Sequence, residues 1–352
     1  MRNWVVSDTP DGVYLTRAAD EKPRPVQWLW HNWIPREDLS LLAGPPATGK
    51  TTIAMTLASI VSRGEQWPDD LCVNGGEQNV VIWSGEDSIH STLIPRLIAA
   101  DAKLSRVHFV TGIQEGGKRR EFDPATDIFQ LTMKISEIGG AGLVIIDPLI
   151  SAVAGDAHKA NDVRRDLADL CVLGRTGPAV LGITHFSKRS QGAHPLERVL
   201  GSQAFGALAR AVLVTAKRAD SDERVLLRAK NNLGPDGGGF TYQVRPAVVA
   251  GDIETSFIEW GSAIEGDVEN LMAEVDRSDL NPTRLEEAKE FLMSIFEQSE
   301  CVAAREVFSR AEVDGHAKAT INRAKFALNI KVEKQGGGGW FWRLSKQPTS
   351  ST

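Results

Sequence analysis

Long apolar runs are missing from this chain. No stretch approaches the roughly 20 residues needed to cross a bilayer, so no membrane partner is expected. The opening Met1–Arg17 segment lacks the apolar core of a secretory leader. Cysteine is scarce: Cys72, Cys171 and Cys301 lie far apart, show no metal-ligand spacing and are odd in number. That pattern excludes a disulfide framework and points to a reducing, cytoplasmic compartment. No repeat of fixed period is present. Positive charge is also in deficit, with 40 Lys and Arg against 46 Asp and Glu for a net charge of −6. The total argues against a chain coated with nucleic acid, but local fields steer association more than the sum does.

The 352 residues suffice for one large domain and a smaller one. Hydrophobic residues at 42% and charged residues at 24% are ordinary for a globular chain. Residues 1–35, rich in Pro and Trp, read as an irregular lead-in. Short aliphatic runs then alternate with helical stretches. Strands are predicted at Leu39–Ala43, Asn79–Ser84, Val107–Val110, Leu143–Ile146 and Ala179–Ile183. Helices are predicted at Thr51–Val61 and at Ser88–Ala100, the second interrupted near Pro95. This alternation implies an α/β domain over 36–261 with a mostly parallel central sheet. Strand-like runs at Ala211–Thr215, Val225–Ala229, Phe240–Val244 and Ile253–Trp260 suggest an antiparallel extension. Residues 262–283 form a polar, acidic connector. Residues 284–346 then read as helices Leu285–Phe296, Val302–Ala311 and Lys318–Leu328, followed by strands Ile330–Glu333 and Trp340–Leu344 around a four-glycine turn. Three helices and a two-stranded wing make a winged helix-turn-helix pattern; 347–352 is a tail. Between Gly315 and Lys346 seven bases face a single acid, Glu333.

The most specific motif is Gly44-Pro45-Pro46-Ala47-Thr48-Gly49-Lys50-Thr51, a complete G-x-x-x-x-G-K-[ST] phosphate loop between a strand and a helix. Its glycines let backbone N–H groups curl around phosphate oxygens, and the helix start aims its positive end at the anion. Gly44, Pro45, Ala47, Thr48, Gly49, Lys50, Thr51 and Thr52 are therefore the candidate ATP-binding residues. Lys50 reaches the β and γ phosphates, and Thr51 offers a hydroxyl to Mg²⁺. Asp147 ends the aliphatic strand Leu143–Ile146 and is the second candidate metal residue; on its own it would read as a helix cap. Gly85-Glu86-Asp87 closes another strand. Glu86 is the candidate base for the attacking water, with Asp87 in reserve, against the plainer reading of a solvated helix-capping pair. His185, in Thr184-His185-Phe186-Ser187-Lys188, lies at the same sheet edge and is a candidate γ-phosphate sensor; the alternative is a structural histidine.

This set of motifs, in this order, resembles the RepA-type replicative helicases of plasmids and phages, a group of RecA-like hexameric ATPases. Trp28-Leu29-Trp30 to Ile34-Pro35 and Pro95–Ala100 share the likeness, which spans roughly residues 26–245. The resemblance implies a RecA-like P-loop NTPase fold, ATP and Mg²⁺ as ligands, a homo-hexamer, and single-stranded DNA in a ring channel. It makes Lys50 and Thr51 nucleotide and metal ligands, Glu86 the catalytic glutamate, Asp147 the metal-holding Walker B residue and His185 the γ-phosphate sensor. The stretch Gly201–Ala211 resembles the family segment with a trans-acting arginine, which makes Arg210 the finger candidate. Lys230-Asn231-Asn232 resembles the site where the related DnaB-type helicases carry Lys-x-Arg. Asn232 stands at the arginine position, which shifts weight to Arg210 or Arg218. Loops at 155–165 and 187–198 correspond to channel-facing loops. Their bases, His158, Lys159, Arg164, Arg165, Lys188, Arg189 and Arg198, are either DNA contacts or ordinary solvated residues.

The tail resembles a winged helix joined to such ATPases. Lys318, Asn322 and Lys325 lie at i, i+4 and i+7, where a recognition helix would meet duplex DNA; the alternative is a protein-docking winged helix. The expected activity is a DNA-stimulated helicase or translocase motor. The alternatives are a loader, recombination mediator or switch that hydrolyses ATP without unwinding, and a DNA-binding module with a degenerate site. The intact Lys50, Thr51 and Asp147 speak against the last.

Overall fold

The computed structural model describes residues 13, 15–157, 159–186, 195–198, 203–218, 222–272, 282–299, 301–316, 318–328, 330–335 and 339–344. They group into two units, 1–215 with 225–268, and 216–224 with 269–352. Among the described residues no helix is long and apolar enough to cross a membrane.

The sheet of the larger unit draws on β3 (Leu39–Gly44), β4 (Val80–Ser84), β5 (Val107–Phe109), β8 (Leu143–Asp147), β9 (Ala179–His185), β10 (Ala211–Lys217), β11 (Arg224–Asn231), β12 (Gly239–Val249) and β13 (Ile253–Ile264). Two small hairpins lie outside it, β1 (Trp28–Trp30) with β2 (Ile34–Pro35), and β6 (Ile113–Glu115) with β7 (Lys118–Arg120). The strand order is β13-β12-β11-β10-β3-β9-β8-β4-β5. From β10 to β5 every pair is parallel, and β12 with β13 is antiparallel. The α/β class and the antiparallel extension are thus both present. The central strands β3 and β8 are buried along their whole length, which explains their continuous aliphatic character.

Helix α1 (Lys50–Arg63) is buried at nearly every position from Thr52 to Ser62. A helix wrapped by core on all sides needs no polar stripe. The other helices of this unit are α2 (Ile94–Ala99), α3 (Ile128–Glu137), α4 (Ala160–Asp166), α5 (Ala168–Arg175), α6 (Pro195–Arg198) and α7 (Gln203–Leu208). The stretch predicted as one helix over 88–100 is a π turn, Ile89–Leu93, followed by α2. Proline lacks the N–H that a helix interior uses, so Pro95 sits in the first turn of a new helix.

The lead-in is not irregular throughout. Trp30 and Trp33 are buried, and their rings stack at 4.7 Å between centroids. Trp67 stacks on Trp30 at 5.0 Å, and Phe240 lies 5.9 Å away. Trp30 Nε1 donates to Asp69 at 3.0 Å, and the Arg228 guanidinium lies over the Trp33 ring at 4.8 Å. The cluster is core packing, each such aromatic pair contributing about 0.5–1.5 kcal/mol beyond its buried area. The connector is also narrower than 262–283: β13 runs to Ile264, and Val268 and Met272 are buried.

The smaller unit holds helices α8 (Pro282–Gln298), α9 (Ala304–Val313) and α10 (Lys318–Ala327), with strands β14 (Cys301–Ala303), β15 (Lys331–Gln335) and β16 (Gly339–Arg343). Its own core centres on Leu292, Val307, Ile321, Ala324 and Trp342. The sheet is three-stranded, β14-β16-β15. Val302, expected in the second helix, instead pairs with Trp342 in β14. An apolar residue at a helix start fits either state by periodicity, and the cross-strand partner decides.

Candidate active site

The parallel register brings the motif ends to one edge. His185 pairs with Gly44 across β9 and β3, and Asp147 pairs with Ser84 across β8 and β4. Strand β9 separates the phosphate-loop strand from the acidic one. Residues at the carboxyl ends of parallel strands form the mouth of such a sheet, where ligands bind.

The phosphate loop is held from beneath. Ala47 and Gly49 adopt left-handed conformations, with φ of 62° and 87°. A Cβ on Gly44 would lie 2.1 Å from Thr215 Oγ1 and 2.6 Å from the Thr215 carbonyl, so only glycine fits between β3 and β10. The Thr48 hydroxyl lies 2.7 Å from Thr215 Oγ1 and donates to the Pro45 carbonyl. Tyr242 donates to the Thr48 carbonyl at 2.7 Å. Thr48 is 2% exposed and Thr52 4%. Their side chains face the core, so from these two positions only main-chain groups are available to a nucleotide. Sequence reasoning misses Thr215 and Tyr242. The one available signal is the Thr215 hydroxyl near the end of an otherwise apolar strand; Tyr242, inside β12, carries none.

Lys50 donates to the Gly44 and Pro45 carbonyls at 3.0 and 2.8 Å. Burial pulls its ammonium down to about 8, while Asp147 and Glu86 hold it up. Asp147 is 5% exposed and accepts a hydrogen bond from Thr51 at 2.8 Å. Burial pushes its carboxyl up to about 6; the Thr51 bond opposes the rise, and the charges of Glu86 and Asp87 add to it. A desolvated cation bonded to neutral carbonyls suits an incoming anion. The Thr51 and Asp147 oxygens are the hard donors that Mg²⁺ takes together with substrate phosphates and water. Among the described residues there is no cluster of three or more His, Cys, Asp or Glu fit to hold a metal by itself.

Asp87 is engaged: it accepts from Arg96 at 3.0 Å, and its N–H donates to Ser84 Oγ. Glu86 is exposed and acts through its charge on Lys50, Asp147 and His185. The geometry therefore favours Glu86 over Asp87 as the group open to a water. His185 is half-buried, and its Nδ1 is buried without a hydrogen-bond partner. Burial and the nearby Lys50 charge lower its affinity for a proton. A neutral imidazole with an unmatched ring nitrogen is suited to meet a polar ligand atom.

The other sequence candidates lie elsewhere. Arg210 precedes β10 at the opposite edge of the sheet, where its N–H donates to the Leu39 carbonyl. Residues 160–165, expected as loop, belong to α4, whose Arg165 is bonded to Asp166 and lies 3.2 Å from Asp162. Lys159 lies 3.8 Å from Asp156, and Arg164 is exposed. Arg198 is 6% exposed, which corrects its expected place among solvent-facing DNA contacts. His158, Lys188 and Arg189 fall outside the described residues. Lys318 and Asn322 are exposed on α10, whereas Lys325 is partly buried with its ammonium 4.8 Å over the Trp342 ring.

A phosphate loop, an acidic strand end bonded to its threonine and a nearby open carboxylate on a mostly parallel sheet define a P-loop ATPase domain. The chain belongs to the AAA domain family, which it matches over residues 8–191, just over half its length. It is similar to the crystal structure of the RadB recombinase, at 16% identity and a TM-score of 0.42 over 60% of this chain and 89% of that one. It is also similar to a second solved structure, the ATPase domain of another protein, at 15% identity and a TM-score of 0.43 over 59% of this chain and 81% of that one. No curated protein matches the sequence.

Proposed function

We propose that this protein is an oligomeric, RecA-like, DNA-stimulated ATPase that works as a helicase or translocase of the replicative type. The observation that carries this reading is the position of Arg210. Gly44 lies five residues along β3 from Leu39, roughly 17 Å at the usual rise per residue, and Arg210 is bonded at the Leu39 end. Its side chain is 51% exposed and cannot span that distance to its own phosphate loop. Lys50 is the one cation bearing on Asp147 among the described residues. This supports a second cation for the γ-phosphate supplied by a neighbouring subunit, with Arg210 as the candidate.

In the hydrolysis, a water oxygen bonds to the γ-phosphorus as the bridging β–γ P–O bond breaks. Glu86 orients that water and takes its proton; ADP and inorganic phosphate leave. Lys50 and the neighbour's Arg210 offset the charge that develops on the phosphoryl oxygens. Thr51 and Asp147 would hold Mg²⁺, which would supply neutralisation of phosphate charge. His185 meets the γ-phosphate and reports its loss. A hexameric ring would present Lys159 and Arg164, with Lys188 and Arg189, to single-stranded DNA. The smaller unit, read as a winged helix, would meet duplex DNA through Lys318 and Asn322, with Lys325 split between DNA and Trp342. Cytoplasmic residence agrees with this role.

The test is imaging with a non-hydrolysable ATP analogue, paired with ATPase and strand-separation assays with and without single-stranded DNA. Closed rings, DNA-stimulated turnover and unwinding support the reading. Stimulated turnover without unwinding moves the protein to the loader or switch class, and turnover by monomers that ignores DNA overturns the proposal.

A further inference from the structure

Lys230 stands where the resemblance places the lysine of a Lys-x-Arg finger, yet its ammonium is already committed. It donates to the Gly206 and Ala209 carbonyls at 2.8 and 2.9 Å. Those carbonyls close the C-terminal end of α7, the negative end of the helix, where a cation is favourable. Ala209 is fully buried and immediately precedes Arg210. The next contacts grip Arg210 itself: its N–H donates to the Leu39 carbonyl at 3.0 Å, and its carbonyl accepts from the Asn232 N–H at 2.9 Å. Its Nε lies 3.7 Å from Asp38. Burial lowers the Lys230 ammonium below its ordinary value, and the Arg210 charge adds to that.

We infer that Lys230 is a positioning residue for Arg210, not a second finger: it ties the end of α7 to β11 and so fixes the point from which Arg210 projects. Asn232, at the position where an arginine would complete the finger motif, contributes the matching main-chain bond. The inference rests on the reading that Arg210 acts on a neighbour's ATP. Displacement of a catalytic group by about 1 Å can cost roughly 10²-fold in rate. A second finger would instead add its own loss, of the order of 10³–10⁵.

The experiment measures steady-state ATPase of the full chain with single-stranded DNA for Lys230→Met, Lys230→Arg, Arg210→Ala and the Arg210→Ala/Lys230→Met double variant. Thermal melts verify folding. Lys230→Met is expected to lower kcat by about 10²-fold with KM for ATP unchanged. Lys230→Arg, which still donates to both carbonyls, should recover most of that loss even if Lys230→Met folds poorly. The double variant should be no slower than Arg210→Ala. A double variant slower than Arg210→Ala by a further 10³-fold or more overturns the inference and makes Lys230 a finger. So does a Lys230→Met enzyme at wild-type kcat when Arg210→Ala is crippled. Wild-type turnover by Arg210→Ala is a different failure, because it removes the trans-acting reading on which the inference rests.

Discussion

Replacing Asp147 by asparagine separates the cost of burying this carboxylate from its use. In the folded chain its carboxyl titrates at about 6 against an ordinary value of 3.8. Each unit corresponds to about 1.4 kcal/mol, so keeping the group ionised in the fold costs up to ~3 kcal/mol. The sign follows from linkage. The folded state binds this proton more tightly than the unfolded chain, so the penalty is complete above about pH 6, shrinks as pH falls, and is gone below about 3.8. An asparagine keeps an oxygen for the Thr51 hydroxyl but carries no charge. It also removes one of the two anions that act on Lys50, a partial offset, since Lys50 is the last of the influences on Asp147. The nucleotide-free Asp147→Asn protein should melt roughly 5 °C above wild type at pH 8. By pH 5 the gain should fall to about half, while ATP hydrolysis is lost at every pH. Calorimetry at the two pH values measures both gains. An unchanged melting temperature at pH 8, or a gain that does not depend on pH, would refute the account of a buried, desolvated carboxylate.

Glu86→Gln should bind ATP normally and turn over at least 10²-fold more slowly, whereas Asp87→Asn, which loses the charge that pairs with Arg96 and bears weakly on Asp147, should stay within about tenfold of wild type; paired binding and turnover assays decide, and the reverse ranking transfers the base to Asp87. Gly44→Ala should abolish nucleotide binding, and adding Thr215→Ala should not rescue it, because the new Cβ also meets the Thr215 carbonyl; binding measured with a fluorescent ATP analogue tests both. Lys318→Ala in the full chain should flatten the salt dependence of duplex binding by about 0.9 in log–log slope. An unchanged slope would favour a protein-docking role for the smaller unit.

The juxtaposition of the candidate site residues is legible in the sequence because each is marked locally. The phosphate loop, Asp147, Glu86 and His185 each lie at or just beyond the end of a strand whose aliphatic run announces it, and parallel pairing gathers those ends at one edge. What is not legible depends on distant partners. Thr215 and Tyr242 brace the loop across 167 and 194 residues of sequence, and no local pattern reports such contacts. The tryptophans of the lead-in are ambiguous for the same reason, since Trp67 and Phe240 complete their stack. Arg198 and Lys325 carry the charge expected of DNA contacts, but burial and the Trp342 ring are invisible in one dimension.

The central claim is that each ATP site is shared between two subunits, with Glu86 from one and Arg210 from the next. It is tested most directly by mixing Arg210→Ala protein with Glu86→Gln protein, each inactive alone, and measuring DNA-stimulated ATP hydrolysis. Where an Arg210→Ala subunit presents its ATP site to the intact Arg210 of a Glu86→Gln neighbour, a complete site forms. The account predicts recovery of part of the wild-type rate, rising and falling with the mixing ratio. No recovery, with subunit exchange demonstrated by labelled protein, would contradict it.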